Sequence, residues 1–161
     1  MSCTPDPVVD NQMTEAFVPV YMSAQVLDKV SIEPPRPTKQ AGKLYVFGNW
    51  LFQNDINEGI HIIDASNKTA PVKITFLAIP LNTEVAVKGK YLYANNMSDL
   101  LTFNISDPSK PILVKRIPKV FPTPNQQYPP FVGVAFECAD PAKGVVIRWE
   151  RKQMARPNCR R

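Results

Sequence analysis

One histidine, six glycines and three cysteines are all that 161 residues contain of these types, and each shortage excludes something. A single histidine rules out any site that needs two imidazoles, so His61 alone could serve a metal or a Ser-His-Asp arrangement. Scarce glycine argues against phosphate loops. Gly42-Lys43 and Gly89-Lys90 lack both the earlier glycine and the following Ser/Thr that such a loop requires. No run of about 18 apolar residues occurs, so the sequence offers no membrane-spanning helix. The seventeen prolines work in the same direction, because proline suits turns and strand ends and breaks long helices. At 44% apolar and 20% charged residues, the composition is that of a folded chain.

Charge is unevenly placed. Residues 1–147 carry equal numbers of basic and acidic side chains, and the whole excess of +5 sits in the last 14 residues. There Arg148, Arg151, Lys152, Arg156, Arg160 and Arg161 face only Glu150. Such a patch can attract phosphate, acidic protein or anionic lipid, and it can equally be a solvated chain end. No nucleic-acid motif accompanies it, so no nucleic-acid partner is expected.

What the chain does have is a repeat of about 40 residues that occurs twice. Gly48 corresponds to Gly89 at an offset of 41; Ile60 to Leu100, Ser66 to Ser106 and Pro71 to Pro111 at an offset of 40, after one deletion in the loop between. Each copy reads as four short strands. In the first these are Leu44–Phe47, Trp50–Asn54, Gly59–Asp64 and Val72–Ile79; in the second, Glu84–Val87, Lys90–Asn95, Leu100–Asn104 and Ile112–Ile117. Two-residue turns at Gly48-Asn49 and Lys88-Gly89 join the first two strands of each copy. Four antiparallel strands per unit make one propeller blade, and a ring needs 4–8 blades. The expected fold is therefore all-β: an open, partial β-propeller of about two blades, a C-terminal hairpin from Phe131–Cys138 and Gly144–Glu150, and a short N-terminal helix over Ala24–Val30. Residues 13–32 are apolar enough to fold back as a cap over an exposed blade face.

The cysteines divide unequally. Met-Ser-Cys3 followed by Thr-Pro-Asp-Pro looks like the tail of a lipobox, which marks Cys3 for lipidation. Cys138 and Cys159 remain as an even pair, a disulfide candidate for an oxidising compartment. A buried Cys138 with a free Cys159 is the alternative.

Gly89-Lys90-Tyr91-Leu92-Tyr93-Ala94, followed by Leu100 to Pro111 (LLTFNISDPSKP), resembles the LVIVD repeat, a β-propeller blade of exported bacterial proteins. Ile60-His61-Ile62-Ile63-Asp64-Ala65-Ser66 is a poorer copy. The flanks Tyr21-Met22-Ser23, Pro35-Arg36-Pro37, Phe136 to Pro141, Gly144-Val145-Val146 and Arg156-Pro157-Asn158-Cys159 are similar to LVIVD-repeat lipoproteins of Gram-negative outer membranes. Composition and hydropathy divide the rest: residues 1–12 are expected as a lipoprotein tether and 13–42 as a capping segment with a proline-rich connector. The strand pattern likewise makes 43–119 two blades and 120–161 a partial blade or hairpin with a basic tail. The resemblance implies an exported protein, held at the outer membrane through Cys3, that meets an outer-membrane protein or assembly.

Chemistry is thin by comparison. His61 would need Asp64 or Asp99 and a serine for nucleophilic catalysis, and nothing fixes a nucleophile. The loops Asn54-Asp55-Ile56-Asn57-Glu58 and Asn95-Asn96-Met97-Ser98-Asp99 are oxygen-rich, but their spacing does not match a calcium loop. No catalytic residue, metal or cofactor is expected. Trp50, Phe52, Tyr91, Tyr93 and Phe103 alternate along strands as blade core, with a glycan- or peptide-binding face as the alternative. The expectation is a non-catalytic accessory or interaction protein rather than a hydrolase.

Overall fold

Two glycines start the blades. In a computed structural model, which describes residues 13–122 and 127–161, Gly48 and Gly89 take φ of 60° and 56° at the first position of a two-residue hairpin turn, where a primed turn asks for glycine. The second turn is therefore Gly89-Lys90, one residue later than expected, and it matches Gly48-Asn49. The chain forms two compact units. One is Ala24–Thr123; the other joins Met1–Ser23 to Pro124–Arg161.

The first unit holds α1 (Ala24–Asp28) and nine strands: β2 (Ser31–Glu33), β3 (Ala41–Phe47), β4 (Trp50–Asp55), β5 (Gly59–Asp64), β6 (Val72–Ala78), β7 (Val85–Lys88), β8 (Tyr91–Asn96), β9 (Asp99–Asn104) and β10 (Ile112–Ile117). Two sheets result, ordered β2-β6-β5-β4-β3 and β10-β9-β8-β7, each an antiparallel blade. Short-range bonds shape both blades alike. Asp64 and Asn104 accept from the N–H of Ser66 and Ser106 at 2.8 and 2.9 Å, and Asn67 and Asp107 accept from Thr69 and Ser109 at 3.1 and 3.0 Å. These paired Asx turns explain why the third and fourth strands of both repeats are joined by Ser, Asn/Asp and Ser/Thr ahead of a proline. The two Asp carboxyls titrate below their usual range because Ser66 and Ser109 donate to them.

Side chains alternate across each strand. One face of the first blade presents Phe52, Ile60, Ile62 and Leu77; it packs on Leu92, Ala94, Leu101 and Phe103 of the second in one buried cluster. Tyr45 donates its hydroxyl to the Val87 carbonyl (2.9 Å), and Thr75 donates to that of Ser109 (3.1 Å). Burying each such side chain contributes about 2 kcal/mol. This inter-blade core holds the unit together.

The second unit, as described over residues 13–23 and 127–161, contains β1 (Met13–Met22), β11 (Ala135–Phe136), β12 (Val145–Ala155) and β13 (Cys159–Arg160), ordered β12-β1-β11-β13. Two sequence expectations are corrected here. Phe131–Cys138 and Gly144–Glu150 do not pair as a hairpin, because β1 lies between β11 and β12. Residues 13–32 are not one capping segment: Met13–Met22 pairs along its whole length with β12, while α1 and β2 belong to the blade unit. The physical reason is shared. β12 extends to Ala155, too long for the two-residue β11 but matched in length by the ten-residue β1. The core of this unit is small and aromatic: Phe136 meets Trp149 edge-on at 5.6 Å, and Phe17 stacks on Phe131 at 5.2 Å. No helix among the described residues is long and apolar enough to cross a membrane.

Candidate functional site

Gln53, His61 and Phe76 lie in one cross-strand row on the first blade, on the face turned away from the second blade. A proline-rich strap, residues 34–40, covers that face. The Arg36 guanidinium sits 3.8 Å over the Phe76 ring, and Arg36 and Lys39 reach Glu58 at 2.8 and 3.0 Å. Lys73 donates to the Arg36 carbonyl and the Thr38 hydroxyl. Asp55 anchors the strap's end by accepting from the N–H of Lys39 (3.0 Å) and Gln40 (2.7 Å). Prolines suit this role because an extended strap has few backbone donors to satisfy.

Under the strap lies a buried Asp–His pair. His61 Nε2 is 3.3 Å from Asp55 Oδ2, and neither side chain is exposed. Burial alone would raise the Asp55 carboxyl. The N–H groups of Gln40 and Lys39 and the His61 ring outweigh it and hold the carboxyl below 3.8. His61 is pushed below 6.5, first by burial and then by the Lys73 charge, against the pull of Asp55. An ionised Asp55 and a neutral His61 put the ring proton on Nε2, leaving Nδ1 as a bare acceptor. That Nδ1 is buried without a hydrogen-bond partner. The geometry is that of two-thirds of a triad, with no hydroxyl or thiol bonded to the free ring nitrogen. Asp64 and Asp99, the acids considered from sequence, are elsewhere: Asp64 caps the Ser66 turn and Asp99 accepts from Arg116 at 2.9 Å.

The oxygen-rich loops are hairpin turns wired by amides. Asn95 Oδ1 accepts from the N–H of Thr83 and Glu84, both at 2.9 Å, and so performs in the second blade what Asp55 performs in the first. Asn82 links the two: its Oδ1 accepts from Asn54 (2.6 Å) and its Nδ2 donates to Asn95 Oδ1 (3.0 Å). Among the described residues no group of three or more His, Cys, Asp or Glu is placed to hold a metal. Asn82 carried no signal in the sequence, because the correspondence between the two copies is read only from Gly48 and Gly89 onward. Arg116 was equally silent, since it replaces Phe76 in the repeat.

The aromatics separate by face. Phe52 and Phe103 are buried between the sheets, whereas Tyr91 and Tyr93 lie half-exposed on the outer face of the second blade. Counterparts of the buried Ile60, Ile62 and Leu77 on this face are Leu100 and Thr102, both half-exposed, and the exposed Ile117. The outer edge differs too. β2 pairs with β6 along the rim of the first blade, while among the described residues β10 has no strand beyond it.

In the other unit, Cys138 and Cys159 are joined in a disulfide with Cα atoms 5.3 Å apart. The bridge lies beside the Phe136↔Cys159 register of β11 and β13, so the basic tail forms part of a sheet edge. Cys3 lies outside the described residues.

Two blades sharing one core, open on one face and unclosed, define a β-propeller-like repeat protein. The LVIVD repeat model matches residues 39–75 and 82–118, one match to each blade, and the chain belongs with the LVIVD-repeat proteins. Neither a curated protein nor a solved structure matches it.

Proposed function

We propose that this chain is a non-catalytic interaction module of the bacterial envelope, tethered by a lipid on Cys3 at the outer membrane or cell surface. It offers the outer face of its second blade to a protein of a membrane-associated assembly. One observation carries this reading: Tyr93, Leu100, Thr102 and Ile117 remain part-exposed where their first-blade counterparts are buried by a neighbouring sheet. A blade face of this kind is completed by another sheet, and the unpaired β10 edge beside it can accept a strand. The Asp55–His61 pair supports a structural role, since the strap seals it and no nucleophile meets it. Photo-crosslinking from Tyr93 and Ile117 in cells tests the proposal. A discrete adduct with an envelope protein, absent when the crosslinker replaces Lys68 in the exposed Asx loop, is the expected result. No adduct, in a strain where mass spectrometry finds Cys3 unmodified, would sink it.

The half-exposed Tyr91 and Tyr93 favour a second reading, a glycan- or peptide-binding face. Calorimetric titration with envelope glycans that loses its heat in Tyr93→Ala would select it.

A further inference from the structure

Residues 128–134 include three large side chains with exposed apolar surface, two of them, Phe131 and Tyr128, braced on one side by Phe17 and Phe136. Val132 is 77% exposed, Phe131 49% and Tyr128 43%. The segment's backbone is held all the same. The Gly133 N–H donates to the Arg161 carbonyl, the Arg161 N–H to the Val134 carbonyl, and the Arg161 guanidinium to the Pro129 carbonyl. Two prolines and a glycine at φ 73° fix the bend, and a Cβ added at Gly133 would meet open space. The tip therefore projects as a convex, preformed apolar knob.

Arginines flank it on both sides. Arg151 and Arg160 line a groove beside Gly133 and Val134, and Arg148 and Arg161 line another beside Pro130 and Phe131. Arg151 lies 5.8 Å over the Phe131 ring, and Arg161 lies 5.7 Å over Tyr128. Carboxylates answer only part of this charge: Glu15 is 3.9 Å from Arg151, and Glu150 is 2.7 Å from Arg148. Among the described residues no carboxylate side chain pairs with Arg160 or Arg161.

A convex apolar tip ringed by arginines matches the boundary of an anionic bilayer. Aromatic rings and short apolar side chains enter the headgroup region there, while guanidinium groups stay with the phosphates. We propose that residues 128–134 together with Arg151, Arg160 and Arg161 form a docking surface for an anionic membrane. An acidic protein would reward the charge but would leave Val132 and Phe131 in water unless it also supplied an apolar pocket. The surface lies on a different unit from the blade face assigned to a protein partner and needs no lipid on Cys3.

The test uses the full chain with Cys3→Ser, so that no acyl group contributes, in flotation with two vesicle types. One is phosphatidylcholine alone; the other is equal parts phosphatidylcholine and phosphatidylglycerol. Binding to the mixed vesicles only, weakened by salt, is expected. Arg160→Gln should lower partitioning about fivefold, the effect of about one basic residue near a charged surface. Val132→Asp, at a position too exposed to disturb folding, should abolish it with an unchanged melting temperature. No binding to either vesicle overturns the proposal, as does binding that Val132→Asp leaves intact. Binding to soluble polyglutamate without vesicle binding also overturns it, and makes the patch a site for acidic protein. None of these outcomes touches the crosslinking result at Tyr93 and Ile117, so the two proposals fail separately.

Discussion

The two blades share a repeat and differ in what covers them. The first has the strap on one face, the second blade on the other and β2 along its rim. The second has the first blade on one face and an outer strand that is unpaired among the described residues. Equivalent positions record the difference. Asp55, His61 and Phe76 serve the strap; Asn96, Leu101 and Arg116 stand in their places. There Arg116 ties Asn96 to Asp99 and to the Asp28 carbonyl at the end of α1. A repeat unit thus fixes its own strands and leaves its surfaces to its neighbours. Divergence within the repeat maps which neighbour each copy meets.

The sharpest break in that comparison comes at the inter-blade core. Phe52→Ala empties a fully buried site and should cost about 3–5 kcal/mol in denaturant unfolding. Tyr93→Ala, the same repeat position on the open face, should cost about 1 kcal/mol or less. Equal losses would mean that the second blade's face is covered in solution. Next in size is Gly59→Ala. Its Cβ would lie 1.9 Å from the Leu77 carbonyl oxygen, at φ 143°, so we expect a loss of about 3 kcal/mol or more, read by thermal melting. The second blade turns in two residues and has Asp99 at this point, so glycine is required in the first blade alone.

The strap gives a smaller effect. Asp55→Ala removes the acceptor for two backbone donors and for His61, and should cost about 2 kcal/mol. Hydrogen exchange at Lys39 and Gln40 should speed up while that in β8 and β9 stays unchanged. Protection lost throughout both blades would show that the strap is integral to the core rather than a cover.

Acid should reveal the same asymmetry most gently. His61 binds its proton less readily folded than unfolded, so the unfolded chain takes it up first and stability falls as pH drops below 6.5. Asp55 acts in the same direction, its contribution being lost as pH falls below 3.8. His61→Leu, which copies Leu101 of the second blade, should flatten the first step and shrink the second, because the ring also helps to hold the Asp55 carboxyl down. A profile unchanged by the substitution would place the titrating group elsewhere.

The repeat, its strands and its loops were legible because they rest on contacts a few residues apart. Gly48 and Gly89 announce hairpins, and Asp64-Ala-Ser and Asn104-Ile-Ser announce Asx turns, whatever surrounds them. The one-residue deletion between copies is the difference between a three-residue loop after Asp55 and a two-residue loop after Asn96. The candidate site was less legible. His61 was visible as the lone histidine, but its partner is Asp55 rather than Asp64 or Asp99, because strand register and not sequence distance decides which acid reaches the ring.

By itself, then, the sequence determined an all-β chain with two blades and the apolar stripe of each strand, since turn chemistry and two-residue periodicity act locally. Only the tertiary structure decided what those stripes meet. It put Met13–Met22 between β11 and β12 and drew residues 34–40 across His61 and Phe76. It also set Asn82 as the link between Asn54 and Asn95. An apolar face states that it must be covered, and many segments of similar hydropathy satisfy that demand. The choice falls to strand length, hydrogen-bond completion and the reach of the chain, which exist only once distant segments are folded together.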